Sequence, residues 1–166
     1  ENINNFSSKI TYKTPSREIK FKASTSFKHH ILNMLITVII YDFNLLNIKI
    51  LLDKTNNIPF IEGRGLFNNI VLQKKEAILI DESYNASPVS LNVCIDYFEK
   101  FEVNQYQRKI IIIGEMLELG IVSLNHHKEI VSQAIKSSID MIIFSGSIYK
   151  EILTNKNLKS KKNILF

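Results

Sequence analysis

Four consecutive isoleucines, residues 110–113, end on Gly114 and constrain this chain more than any other stretch. A β-branched run without polar alternation reads as a strand buried on both faces, the signature of a parallel sheet. Three more short runs share this character: Ile78-Leu79-Ile80, residues 141–144 and residues 164–166. Helical patterns separate them. The first starts at Pro88 and repeats apolar residues at Leu91, Cys94, Ile95, Phe98 and Phe101. The second runs from Ser123 or Leu124 to about Ser137, with Ser123 as its cap, and the third covers residues 148–153. This alternation predicts an α/β fold with a Rossmann-like parallel sheet. Residues 66–72 read as a further strand, turned at residues 73–76 into Ile78.

The N-terminal third has a different pattern. Residues 1–8 are polar and read as a lead-in. Residues 10–13 and 18–22 alternate around Thr14-Pro15-Ser16-Arg17, which predicts a β-hairpin. Residues 29–43 read as a helix that is apolar nearly all round and is expected to be largely buried. A shorter helix is expected over residues 45–52, before Asn56-Asn57-Ile58-Pro59 breaks the pattern. The change of pattern at Gly63 predicts two domains, residues 1–62 and 63–166.

Composition narrows the class. Of the 166 residues, 45% are hydrophobic and 22% charged, so the chain can bury a core. The formal net charge of +5 is spread along the sequence, densest at Lys159, Lys161 and Lys162. No basic stripe interleaved with aromatics is present, which argues against nucleic-acid binding. A positive surface suits an anionic small substrate equally well. The single cysteine, Cys94, excludes a disulfide framework and a cysteine zinc site and fits a reduced, cytoplasmic setting. The longest apolar run, residues 31–40, is interrupted by Asn33 and Thr37 and is shorter than the roughly 20 residues that span a bilayer. No signal-peptide pattern opens the chain, and both ends suggest a piece of a longer protein.

The chemistry-bearing residues fall at element ends. The strand at residues 78–80 ends in Asp81-Glu82, then Ser83-Tyr84-Asn85-Ala86, and Ser87-Pro88 opens the next helix with Ser87 as N-cap and Pro88 at its first position. Open α/β sheets hold their ligands in such loops, although an ordinary capped βα loop has the same outline. Gly63-Arg64-Gly65 either presents a guanidinium on a closely approaching backbone or is a solvated linker. His29 and Asn33 share a helix face, and Asn33 either caps a neighbouring backbone group or faces a ligand such as a nucleobase. Gly114-Glu115-Met116-Leu117-Glu118-Leu119-Gly120 places a second acidic pair at a strand end. His126 and His127, about 100° apart on a helix, do not easily chelate one metal; one buried and one exposed is expected.

Together these motifs resemble the Mur ligases, the ATP-dependent amide ligases of peptidoglycan precursor synthesis. The resemblance rests on Gly63-Arg64-Gly65, on residues 79–88, on residues 113–120 followed by His127, and on residues 27–33, and it covers about residues 10–153. It is nearest to the branch that adds D-alanyl-D-alanine to UDP-N-acetylmuramoyl-tripeptide. Phe27, Ser87 and Glu115 stand where that branch carries Gly, Asn and Asp.

The resemblance implies that residues 1–62 are the end of the central ATP-binding domain. Residues 63–166 would be most of the Rossmann-like C-terminal domain. It implies ATP and Mg²⁺ as cofactors and an acyl-phosphate route to the amide. Asn33 would contact adenine, with His29 beside it. Arg64 would lie near the ribose and phosphates, and Glu82 or Asp81 on the ribose hydroxyls. Ser83, Tyr84 and Asn85 would face the dipeptide. No residue is assigned a catalytic or metal-binding role. The sequence carries no Gly-x-x-x-x-Gly-Lys-Ser/Thr phosphate loop, so activity is expected to need the missing N-terminal part of the ligase. The alternatives are a non-catalytic remnant or nucleotide-binding module, and a Mur-like ligase with a different amino-acid substrate.

Overall fold

The computed structural model describes all residues except 1, 5, 6, 26, 56–60, 106, 155–162 and 166. The Asn56–Pro59 break, the lysines at 159, 161 and 162, and Phe166 lie outside the described residues. The chain divides into two compact units, Glu1–Ile61 and Glu62–Phe166.

In the first unit, β1 (Asn2–Asn4), β2 (Ser7–Lys13) and β3 (Glu18–Ala23) form an antiparallel sheet in that order. The expected hairpin is present. Residues 1–8 are not simply a lead-in, because β1 pairs with the start of β2. Ile10, Ile19, Phe21 and Ala23 pack with Val38 of α1 (Lys28–Phe43) and with residues of α2 (Ile48–Thr55). The second helix starts three residues later than the pattern at Leu45 suggested, because Leu45 has φ 55, left-handed backbone that breaks the helix. Tyr12 donates to Asp42, and Arg17 pairs with the same carboxylate.

The expected burial of the first long helix is corrected. Only Val38 is buried, whereas Leu32, Ile36, Ile39, Ile40 and Phe43 are exposed. An apolar helix placed against one small sheet covers only a stripe of its surface.

The second unit opens with β4 (Leu66–Leu72) and β5 (Lys75–Asp81), an antiparallel ribbon with its own register from Leu66↔Asp81 to Leu72↔Lys75. Gln73 and Lys74 form the two-residue turn, both at positive φ (48° and 67°). That geometry matches strand twist but costs a residue with a Cβ. The expectation that Ile78–Ile80 is a doubly buried strand of the parallel sheet is therefore corrected. Ile78 and Leu79 are exposed, and β5 pairs only with β4 among the described residues. Phe67 on β4 stacks on Phe101, ring centroids 6.2 Å apart, which joins the ribbon to the end of α3 (Pro88–Lys100).

The parallel sheet is β6 (Ile110–Gly114), β7 (Met141–Ser145) and β8 (Asn163–Leu165), in that order. It confirms the α/β class. After a single 3-10 turn at Gly120–Val122, α4 (Ser123–Lys136) crosses from β6 to β7, and α5 (Ser147–Thr154) follows β7. Right-handed crossovers through strands in sequential order put both helices on one face. The isoleucine run shows the result. Ile111 and Ile113 turn into the core with Ile142, Phe144, Ile130, Val131 and Tyr149, while Ile110 and Ile112 are exposed. Ile112, Ile143 and Leu165 are in register across that second face.

Two outcomes follow from these packings. Lys74→Gly relieves the turn and should stabilise the chain by about 0.5–1 kcal/mol in urea denaturation, since Gly populates positive φ without strain. The exposed apolar rows should make the isolated chain self-associate. Size-exclusion chromatography should show Ile36→Lys and Ile40→Lys together shifting it towards monomer.

Candidate functional site

The loop after β5 is built on one carboxylate. Asp81 Oδ2 accepts from the Gly63 N–H at 3.2 Å, and Oδ1 accepts from the Ser83 N–H at 3.1 Å. The Asp81 carbonyl accepts from the Gly65 N–H at 2.8 Å, and Tyr84 N–H donates back to the Gly63 carbonyl at 3.1 Å. The Gly-Arg-Gly turn and the Asp81–Tyr84 turn are thus tied from both sides. Gly63 and Gly65 are buried at φ 75° and 77°. A Cβ on Gly63 would lie 2.8 Å from the Tyr84 nitrogen, so the position has no room for one.

Between these buried glycines Arg64 is exposed, and its guanidinium carbon lies 4.2 Å from the Tyr84 ring centroid. Such a cation–π contact is worth about 0.5–1 kcal/mol at an exposed site. It preorganises the guanidinium while leaving its N–H donors to a planar or tetrahedral anion. The Ser83 hydroxyl, then the Ser83 N–H and the Gly63 N–H, hold the Asp81 carboxyl below the usual carboxylate range; partial burial and the neighbouring Glu82 charge oppose this. Asp81 is therefore anionic and engaged in the turn. Glu82 is half-buried beside it, and its charge adds to the burial that pushes the Cys94 thiol up to about 12. Cys94 is a packing residue without thiolate character.

Ser83, Tyr84 and Asn85 are all exposed. Asn85 Oδ1 accepts from the Ala86 N–H at 2.8 Å, which bends the chain toward α3. Ser87 caps α3 in a capping box with Ser90, and Pro88 occupies the first turn, as the sequence predicts. A depression of about 360 Å³ lies elsewhere, on the β4–β5 ribbon at Asn69, Val71, Glu76 and Ile78, and includes none of these residues.

The second acidic loop follows β6. His127 is fully buried; its Nε2 accepts from the Met116 N–H at 3.0 Å, and its Nδ1 lies 2.7 Å from the Ser123 carbonyl. An acceptor at Nε2 and a donor at Nδ1 define a neutral imidazole with one tautomer. Ser123 does not cap α4, as its sequence position suggests; the cap position is Val122, and Ser123 Oγ lies 3.3 Å from His127 Nδ1. His126 is half-buried and pairs with Glu129, so of the two histidines one is buried, as expected, and the other is only partly exposed. The buried role of His127 was not readable from the sequence, because its partner is a main-chain N–H eleven residues away.

In the first unit, His29 is half-buried, with its ring centroid 5.4 Å from that of Phe27. Asn33 is exposed, and its amide forms no hydrogen bond among the described residues. Solvation accounts for the amide on this apolar helix without a backbone partner.

No family model matches the sequence. Curated relatives do. Over 158 residues the chain is 28% identical to UDP-N-acetylmuramoyl-tripeptide–D-alanyl-D-alanine ligase from Buchnera aphidicola subsp. Baizongia pistaciae, covering 95% of this chain and 32% of the relative. Over 112 residues it is 32% identical to the enzyme of the same name from Rickettsia prowazekii, covering 65% and 23%. Crystal structure I of MurF from Acinetobacter baumannii superposes with a TM-score of 0.78 at 18% identity, over 98% of this chain and 34% of that one. MurF ligase from Thermotoga maritima in complex with ADP gives 0.68 at 18% identity, over 99% and 40%. The chain is similar in sequence to Mur ligases. Its sequence relatives within them are the ligases that carry UDP-N-acetylmuramoyl-tripeptide and D-alanyl-D-alanine in their name, and it spans about a third or less of their length.

The pinned turn has a pH signature. The native state holds the Asp81 proton less tightly than the unfolded chain, so its stabilisation is present above the ordinary carboxylate range and is lost as pH falls through the lower native value. Urea midpoints of wild type and Asp81→Asn should converge as pH drops below about 4. Gly63→Ala should cost more than about 1 kcal/mol at any pH, because both φ and space forbid the methyl.

Proposed function

We propose that this chain is the nucleotide- and acceptor-facing part of an ATP-dependent amide ligase of peptidoglycan precursor synthesis. Such a ligase joins D-alanyl-D-alanine to UDP-N-acetylmuramoyl-tripeptide in the cytoplasm. The observation that carries this reading is Arg64, an exposed guanidinium held over Tyr84 on a glycine turn that the Asp81 carboxylate fastens. Arg64 would contact the ribose and phosphates of ATP. Glu82 would take the ribose hydroxyls, with Asp81 fixing the turn beside it. Asn33, a solvated amide, has the donor and acceptor edges that adenine requires, and His29 precedes it by one helical turn. Ser83, Tyr84 and Asn85 would line the side that meets the dipeptide. The ADP complex of the Thermotoga maritima neighbour supports a nucleotide ligand.

The reaction forms an acyl phosphate from ATP and the tripeptide carboxylate, and the dipeptide amine then displaces phosphate. Mg²⁺ would neutralise the phosphates, and none of the candidate residues is assigned to it. The phosphate loop that this chemistry needs would come from the N-terminal part of the ligase, as the partner of this chain. Among the described residues, no helix is long and apolar enough to cross a membrane.

Calorimetry with ATP·Mg²⁺ tests the reading. Arg64→Ala and Asn33→Ala should each weaken binding tenfold or more. Wild-type affinity in both variants would remove the proposed nucleotide site. Absence of any nucleotide binding would favour a non-catalytic remnant.

A further inference from the structure

The positive charge that is spread along the sequence is sorted by the first sheet onto one face. The alternation of β2 and β3 turns Ile10, Tyr12, Ile19 and Phe21 towards the helices. It leaves Lys9, Thr11, Lys13, Glu18, Lys20 and Lys22 exposed on the other side. The register then gathers the lysines. Lys9 stands directly opposite Lys22, Thr11 opposite Lys20, and Lys13 opposite Glu18. Neighbouring strands lie about 4.8 Å apart, and alternate residues along a strand about 6.8 Å apart, so the four ammonium groups rise from one small patch.

Glu18 is the only acidic residue of the two strands. Lys20 and Lys13 hold its carboxylate at 2.6 and 2.9 Å and keep it below the usual carboxylate range, so it is ionised and already engaged. Four lysines against one glutamate give this face most of the chain's formal net charge of +5. Arg17, at the turn between the strands, is neutralised separately by Asp42 of α1.

The makeup of the face selects its partner. Its cations are lysines, hydrated point charges on flexible stems, and not the arginine forks that hold a single phosphate by two bonds. Tyr12 and Phe21 pack against the helices, so these strands present no aromatic platform on which bases could stack. Like charges directly opposite each other weaken a strand pair, and a plane of negative charge laid on the face relieves the repulsion between Lys9 and Lys22.

We propose that the solvent face of the β2–β3 hairpin is a docking surface for an anionic phospholipid membrane, carried by Lys9, Lys13, Lys20 and Lys22. Attachment is electrostatic and reversible. No apolar side chain of this face enters the bilayer, and each lysine strengthens partitioning about fivefold near an anionic leaflet. The surface belongs to the first unit and does not depend on the ligase reading of Arg64 and its loop.

Vesicle flotation tests this, because bound chains rise with the vesicles while aggregates stay below. The chain should rise with vesicles of phosphatidylglycerol and phosphatidylcholine at low salt and stay below with phosphatidylcholine alone. It should be released as ionic strength rises about a hundredfold and the Debye length shrinks about tenfold. Lys9→Gln with Lys22→Gln should weaken binding about tenfold or more. Lys13→Gln, on the same face, gives a second variant with an expected loss of about fivefold. Lys9→Arg with Lys22→Arg should bind as wild type, since a diffuse plane of charge requires only cations. Lys128→Gln with Lys150→Gln removes the same charge from exposed positions on α4 and α5 and should stay within about twofold of wild type.

Absence of flotation with anionic vesicles would overturn the inference. Equal losses in the two glutamine pairs would do the same, because overall charge alone would then attract the chain. Equal flotation with neutral vesicles would put the exposed apolar row of α1 in the bilayer and reject the lysine face. Release from the vesicles by duplex DNA at a lower phosphate concentration than the lipid supplies would make the face a nucleic-acid surface and reject the membrane.

Discussion

The Asp81 carboxylate is the constraint on which the second unit's chemistry depends. Two backbone N–H groups converge on it, one from the Gly-Arg-Gly turn and one from its own loop. Without that charge the two turns keep only their main-chain bonds, Gly65 N–H to the Asp81 carbonyl and Tyr84 N–H to the Gly63 carbonyl, and Arg64 is held less firmly over Tyr84. A charged acceptor makes each of these bonds stronger than a neutral one would be. The glycines then follow as consequences. Gly63 and Gly65 adopt positive φ because the chain must reverse tightly around Asp81, and Gly63 also lacks room for a methyl beside Tyr84.

The same logic recurs at the far end of the unit with different groups. The neutral His127 imidazole and the Tyr149 hydroxyl, which donates to the Gly114 carbonyl, replace the carboxylate as anchors, and Gly146 replaces Gly63 as the residue over which a side chain, that of Glu115, must pass. In both loops an acidic side chain sits at a strand end, and buried hydrogen bonds fix the backbone behind it.

Much of this was legible in the sequence, and the exceptions have physical causes. The α/β class, the hairpin of the first unit and the cap at Ser87-Pro88 follow from period and turn chemistry, which are local. The place of Ile78–Ile80 was misread because an apolar run gives no information about its partner. The turn at residues 73–76 was read correctly, but it was not read as pairing Ile78–Ile80 with residues 66–72 alone among the described residues, outside the parallel sheet. The four isoleucines were expected to be buried on both faces, yet sequential right-handed crossovers cover one face only. Among the candidate residues, Arg64 was visible from its flanking glycines. Which of Asp81 and Glu82 fastens the turn was not, since it depends on which carboxylate meets the Gly63 N–H. The roles of His127 and Gly146 required three-dimensional contacts that no spacing encodes.

The central claim is that the Asp81-pinned turn forms a wall of a nucleotide site in a ligase. The most direct measurement is a residue-resolved map of amide shifts in the labelled chain on adding ATP·Mg²⁺. The account predicts shifts concentrated at residues 63–65 and 82–85 that disappear in Arg64→Ala. Shifts confined to other elements, or a map unchanged by that substitution, would contradict it.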